Sequence, residues 1–167
     1  QQINGYFLKR NSIKIINYNL IDQIFNNDPN RNKAFYSIEK KIVGESHNTK
    51  IDKISKILRK ENADYLFVSA PENVAWLLNI RGHDYPNSPL PNCRLLVSKE
   101  KKIFFISEFS KLKNLINENK IKVSQVINPN NLSFLFKSLK KGNIITDNKT
   151  CSIYHRNIID KKFKILD

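Results

Sequence analysis

Three side chains able to do chemistry sit within four positions of one another: Arg81, His83 and Asp84, in the stretch Ala75 to Pro91 that reads AWLLNIRGHDYPNSPLP. A guanidinium can hold a carboxylate or phosphate, an imidazole can pass a proton near neutral pH, and a carboxylate can orient either. On their own they would make a small hydrolase site, and that reading requires a nucleophile or a metal beside the loop. Neither is visible nearby. Cys93 and Cys151 lie far apart, with no C-x-x-C and no His at a zinc-ligand spacing. They read as two buried structural thiols in a reducing compartment. No spacing supports a Cys-His nucleophile built from either thiol with His83 or His155. His47 reads as a solvent-facing residue in the first turn of a helix, and His155 as a surface or core-edge residue. The three His and the scattered carboxylates show no bundle of hard-ligand spacings.

The elements that must position Arg81, His83 and Asp84 follow from the flanking pattern. Gly82 can take backbone angles closed to other residues, while Pro86, Pro89 and Pro91 fix φ and remove donors, so a stiff, shaped loop is predicted. Such a loop is where function tends to sit, although it could equally be a connection turning a corner around a buried Trp. Ser69-Ala70-Pro71-Glu72 fits a capping box ahead of a short helix from Val74 to Leu78 that would deliver Trp76 inward. Earlier, Ser46 can cap a helix whose apolar positions Ile51, Ile54, Ile57 and Leu58 recur at helical spacing. Tyr65 to Val68 reads as a buried strand, and Arg94 to Val97 with Ile103 to Ile106 as a hairpin tipped by Ser98 to Lys102.

Downstream, the pattern predicts an amphipathic helix with Phe109, Leu112, Leu115 and Ile116 on one face, then a strand around Ile121 to Ile127. A helix carrying Leu132, Leu135, Phe136 and Leu139, a strand at Ile144-Ile145, a helix around Ile153 and a strand near Phe163 to Ile165 complete the chain. A hairpin followed by strand-helix alternation predicts the α/β class, a mixed β-sheet with helices on its faces. Residues 1–34, with a strand-like Ile13 to Ile16, a short helix through Phe25 and the breaker Asn26-Asn27-Asp28-Pro29-Asn30, read as a tail or interdomain linker. The main domain is 35–167.

At 167 residues the chain suits one domain plus a short extra piece. No apolar run approaches the ~18 residues of a membrane span and no signal segment opens it, so a cytoplasmic protein with no membrane partner is expected. The chain contains no Met, so it is expected to be an excised piece of a longer protein. Its 29 basic and 15 acidic residues give a net charge of +14, the footprint of a stand-alone basic nucleic-acid-binding module. Yet Lys, Asn and Ile are abundant together from end to end, as A+T-rich coding would produce. Lys101-Lys102 and Lys140-Lys141 are short pairs at predicted turns without interleaved aromatics. Specific nucleic-acid recognition is therefore not expected, and any binding should weaken with salt. Arg and Lys clustered on one face of the folded domain would favour the opposite view.

The run VAWLLNIRGHDYPNSP closely resembles a W-L-L-N-x-R-G-x-D-x-P-x-x-P pattern in the second N-terminal domain of the three-domain Xaa-Pro aminopeptidases (aminopeptidase P) of the creatinase/prolidase superfamily. Trp76, Leu77, Leu78, Asn79, Arg81, Gly82, Asp84, Pro86 and Pro89 fill its fixed positions, and His83 and Tyr85 fall where the family varies. Weaker matches are Asn19 to Ile24, Gly44-Glu45-Ser46 with Lys50-Ile51, and Asp147 with Thr150-Cys151 as D-x-x-T-C. The resemblance implies a creatinase N-terminal fold of ribonuclease-H-like layout. It also implies a parent enzyme, a cytoplasmic homodimer, that removes the N-terminal residue preceding proline.

The peptidase chemistry of the resembled enzymes belongs to a separate C-terminal domain, where two Asp, one His and two Glu hold two divalent metals, usually manganese. No residue of this chain takes a catalytic or metal-ligand role by that resemblance, and the C-terminal catalytic domain of the same polypeptide becomes its partner. The piece is then a scaffold that gates substrate access. Arg81, His83 and Asp84 are its substrate-proximal candidates; Trp76, Asn79, Gly82, Pro86 and Pro89 are its structural ones.

Overall fold

A computed structural model describes residues 33–166. The strand expected at Ile13 to Ile16 and the helix expected through Phe25 lie outside them. The chain runs β1 (Tyr36–Ser37), α1 (Lys40–Val43), α2 (His47–Lys60), β2 (Tyr65–Val68), α3 (Pro71–Leu78) and β3 (Ile80–Arg81). It continues with β4 (Arg94–Ser98), β5 (Ile103–Ile106), a 3-10 turn (Phe109–Leu112) leading into α4 (Lys113–Asn117), and β6 (Val126–Ile127). The last elements are α5 (Leu132–Ser138), β7 (Asn143–Thr146), α6 (Ile153–Asp160) and β8 (Lys164–Leu166).

Six strands form one sheet in the order β6-β5-β4-β2-β7-β8. β4 is antiparallel to both its neighbours, whereas β2 with β7, β7 with β8 and β5 with β6 are parallel. The sheet is thus mixed, and helices cover both faces. Alternation along β4 divides the core: Leu95 and Val97 join Ile51, Val74, Leu78 and Leu115 on the α2, α3 and α4 side. Leu96 joins Phe67, Phe136, Ile144 and Ile159 on the α5 and α6 side. A strand covered on both faces must be apolar at consecutive positions, which is why Leu95-Leu96-Val97 is an unbroken run.

Ser46 caps α2 as expected, its Oγ accepting the Thr49 N–H at 3.1 Å. The capping box at Ser69 does not form. Ala70 is the N-cap, Pro71 opens α3, and the Ser69 hydroxyl instead meets Thr150 Oγ1 at 3.1 Å. A tertiary partner here outcompetes the local cap. The strand expected from Ile121 to Ile127 shrinks to β6, because the Gln125 side chain accepts the Lys122 N–H at 2.8 Å and folds Val123–Gln125 into a 3-10 turn. Phe109, expected on the buried helix face, starts its 3-10 turn ahead of the core contacts of Leu112 and Leu115 and is exposed.

Candidate functional site

The segment with the chemical side chains starts at the end of α3, which stops because Asn79 adopts a left-handed conformation, φ 54° and ψ 49°. Asn tolerates that region better than most residues, and here its side chain repays the choice. Asn79 Nδ2 donates to the Glu45 carbonyl at 2.8 Å, and its Oδ1 accepts from Lys50 Nζ at 2.7 Å. Lys50 also donates to the Trp76 carbonyl at 2.7 Å, and Lys120 donates to the Asn79 carbonyl at 3.1 Å. The Gly44 to Ile51 and Trp76 to Asn79 motif elements are therefore two sides of one contact. Burial foremost pulls the Lys50 pKa below the ordinary lysine value.

Trp76 does not point inward. It is 60% exposed, and its ring stands over the Lys50 ammonium at 4.0 Å from the centroid. Its neighbours on α3, Val74, Ala75, Leu77 and Leu78, take the core positions, and the helical turn that buries them turns Trp76 outward. A groove of about 240 Å³ lies beside the ring, lined also by Ile54, Leu66, Asn73, Asp147 and Thr150.

Beyond Asn79 the chain enters β3, which pairs with β1 through Tyr36 opposite Arg81. Arg81 Nη1 donates to its neighbour's carbonyl, Ile80 O, at 2.8 Å and to Ala75 O at 3.5 Å, clamping the end of α3. Gly82 does not use its conformational freedom; it allows close approach. A Cβ there would meet the Pro91 Cα at 2.7 Å and the Phe35 ring at 3.0 Å. The loop then folds back on itself, with Gly82 N–H donating to Pro89 O and Asp84 N–H to Leu90 O, both at 3.2 Å. Pro86 and Pro89 stand at its exposed outer bend, and Pro91 is buried.

Asp84 closes the loop. Its Oδ1 pairs with Lys111 Nζ at 2.6 Å and its Oδ2 accepts the Asn92 N–H at 2.6 Å; the two ion-paired side chains are 5% and 7% exposed. Arg81 and Asp84 do not pair with each other. His83 is the exposed member of the trio, its ring stacked on Tyr36 with centroids 5.4 Å apart. The structure thus gathers Arg81, Gly82, His83 and Asp84 in one rigid turn, with two charges tied inward and one imidazole outward. Lys50 and Lys111 were missed as functional supports, since a lysine among apolar residues carries no mark of the acceptor that will meet it.

The weaker motif has its own geometry. Asp147 accepts the Lys149 N–H at 2.9 Å and the Thr150 hydroxyl at 3.1 Å, and Thr150 reaches Ser69, so the D-x-x-T-C turn ties the end of β7 to the start of α3. His47 is half-buried rather than solvent-facing, and burial, with the Lys120 and Lys50 charges, lowers its pKa. His155 is a core-edge residue, edge-on to Phe67 at 5.5 Å, and burial and then the Arg94 charge bring its pKa down to about 4. Cys93 is buried, which pushes its thiol pKa up, whereas Cys151 is only half-buried. Lys99, Lys102, Lys140 and Lys141 line one cavity of about 520 Å³ with Asp64 and Glu100, and Lys99 pairs with Asp64 at 2.7 Å. Pairs remote in sequence therefore meet in space and are partly neutralised.

Among the described residues no group of three or more His, Cys, Asp or Glu side chains could hold a metal ion. The manganese pair implied by the resemblance does not fit this part of the chain. No helix among the described residues is long and apolar enough to cross a membrane.

The family model described as the Creatinase/Prolidase N-terminal domain matches residues 26–167. Xaa-Pro aminopeptidase 1 of Dictyostelium discoideum is 36% identical over 78 residues, 47% of this chain and 12% of that protein. Xaa-Pro aminopeptidase ApepP of Drosophila melanogaster is 31% identical over 90 residues, 53% of this chain and 15% of that protein. The aligned segment is thus a small part of both relatives. Among solved structures, the X-prolyl aminopeptidase of Caenorhabditis elegans, described as a cytosolic enzyme with a di-nuclear active site, superposes with TM-score 0.70 at 21% identity, covering 90% of this chain and 26% of that one. A Creatine_N superfamily domain of a Streptococcus thermophilus dipeptidase gives TM-score 0.51 at 14% identity, over 71% of this chain and 91% of that one. With the motif, the sheet and the family match in agreement, the chain belongs to the creatinase/prolidase family as an N-terminal domain similar to those of the Xaa-Pro aminopeptidases.

Proposed function

We propose that this domain is the non-catalytic second N-terminal domain of a metal-dependent Xaa-Pro aminopeptidase, which removes the N-terminal residue preceding proline. Its partner is the C-terminal catalytic domain of the same polypeptide, where two divalent metals, manganese by this reading, would be held. The parent is a cytoplasmic homodimer. The role of the piece is to scaffold that domain and to shape access to it. The observation that carries this reading is the turn closed by Asp84 and Lys111, which holds the family motif rigid while leaving the His83 and Trp76 rings exposed. A pre-ordered surface meets a peptide or a domain without a further loss of conformational entropy.

Arg81 and Asp84 then act as positioning residues, and His83 presents the contact. In the enzyme that carries this domain, His83→Ala should lower kcat/KM with melting temperature unchanged. Arg81→Ala should lower melting temperature first, with activity following. The isolated 167-residue chain should cleave no Xaa-Pro peptide and bind no manganese stoichiometrically. Turnover by the isolated chain would defeat the proposal; full activity of the His83→Ala enzyme would remove the gating role.

A further inference from the structure

The groove beside Trp76 exists because helical cover on one face of the sheet stops at β2. The core cluster on the α2 and α3 side draws no residue from β7 or β8, whereas the cluster on the opposite face takes Ile144 and Ile165. Phe67 points to that opposite face, so alternation turns Leu66 toward α2, with Ile145 of β7 in register beside it. Both are only half-buried. Ile54 of α2 and the 60% exposed Trp76 of α3 stand along the groove as its walls. Lys50, which holds one face of the indole, does not line it.

The groove opens at the carboxyl ends of the parallel pair β2 and β7, where Val68 leads into Ser69 and Thr146 into Asp147. Open α/β sheets take ligands outside the carboxyl ends of their strands. Among the described residues, Asp147 is the one ionised side chain that lines the groove. Its oxygens accept only uncharged donors, the Lys149 backbone N–H at 2.9 Å and the Thr150 hydroxyl at 3.1 Å. It forms no ion pair among the described residues. Thr150 gives its proton to Asp147, so Ser69 must donate to Thr150, and this chain of hydroxyls points at the carboxylate. Each carboxylate oxygen keeps an open acceptor position. The polar end of an apolar groove is therefore a fixed negative charge with no cation on it, in a chain of net charge +14.

We propose that this groove binds a small primary amine with a ring-sized apolar body, the body against Trp76, Ile54 and Leu66 and the ammonium on Asp147. An apolar cavity of about 150 Å³ suffices for benzene. The groove, at about 240 Å³, has room for one ring with a short alkylammonium tail and favours a free small molecule over a peptide chain. The ammonium gains charge-assisted hydrogen bonds, stronger than those of a neutral donor, while a carboxylate ligand would meet Asp147 with like charge. A cation approaches so basic a chain only where a local carboxylate overrides the general field, so saturable amine binding is not a surface effect. The proposal is independent of the peptidase reading, since it uses no residue of the turn from Arg81 to Asp84.

The test is a titration of the 167-residue chain with 2-phenylethylamine at neutral pH and constant ionic strength, read by the emission of Trp76, the single Trp of the chain. Emission should move to shorter wavelength saturably as the ligand covers the ring. 2-Phenylethanol, which keeps the body and loses the charge, should bind at least tenfold more weakly, and phenylacetate should give no saturable response. Asp147→Asn should weaken amine binding at least tenfold and bring it level with the alcohol. If that variant does not fold, the comparison of the three ligands on the unaltered chain decides. A linear drift without saturation, equal affinity for the amine and the alcohol, or unchanged amine binding by a folded Asp147→Asn chain would overturn the assignment.

Discussion

Lys50 is 4% exposed, and its ammonium is tolerated in that position because two oxygens at 2.7 Å and an aromatic face surround it. Trp76 covers this cation rather than filling the core, so its loss should cost about 1 kcal/mol, the scale of an exposed cation–π contact, and not the ~3–5 kcal/mol of a core aromatic. Urea unfolding of Trp76→Ala checks this, and the emission of the single Trp should be red-shifted and water-like. The Asp84–Lys111 pair is the opposite case. Removing one partner leaves a charge buried alone, so Asp84→Ala should cost about 3–5 kcal/mol. Adding Lys111→Met to Asp84→Ala should recover part of that loss in a double-mutant cycle, because the stranded ammonium is gone.

The 82–91 loop behaves as an element although it contains no regular structure. Its two arms are joined by backbone hydrogen bonds, sealed by Gly82 against Pro91, and anchored by Asp84 to Lys111 of the 3-10 turn. Gly82→Ala would drive a methyl into backbone at 2.7 Å, which no side-chain rotation relieves. It should destabilise by about 1–3 kcal/mol and open the loop to proteolysis near Tyr85 to Ser88. Thermal melting and limited digestion read the two effects, and a normally stable, protease-resistant variant would refute the seal.

Across the molecule, two apolar layers flank one mixed sheet, and His155 sits at the margin of one of them. Its folded-state pKa is about 4 against an ordinary 6.5, so between those values the unfolded chain binds the extra proton. Stability from this group is therefore complete above about pH 6.5 and is lost as pH falls toward 4. The half-buried His47 acts in the same direction. Asp64, whose carboxyl is held low chiefly by its hydrogen bond from Lys99, adds stability that is complete above the ordinary carboxylate value and is lost only as pH falls below it. Urea midpoints measured from pH 7 to 4 should fall, and His155→Gln should flatten the slope. An unchanged slope would show that His155 titrates normally in the folded chain.

Local pattern was enough for the elements whose cause is local: the Ser46 cap, the α2 periodicity, the β4–β5 hairpin and the continuous apolar run of a doubly covered strand are physical consequences of neighbours in the chain. The motif residues Asn79, Gly82 and Asp84 were legible as important but not as to why. Their reasons lie in Lys50, Pro91 and Lys111, from 9 to 29 positions away, and no spacing rule connects a carboxylate to a lysine on another turn. The orientation of Trp76 was likewise decided by tertiary structure, since a short helix with five apolar residues in a row can bury only the face that meets the sheet. The same holds for Arg94 Nε and Thr146 Oγ1, buried without a hydrogen-bond partner among the described residues, a state that no strand pattern announces.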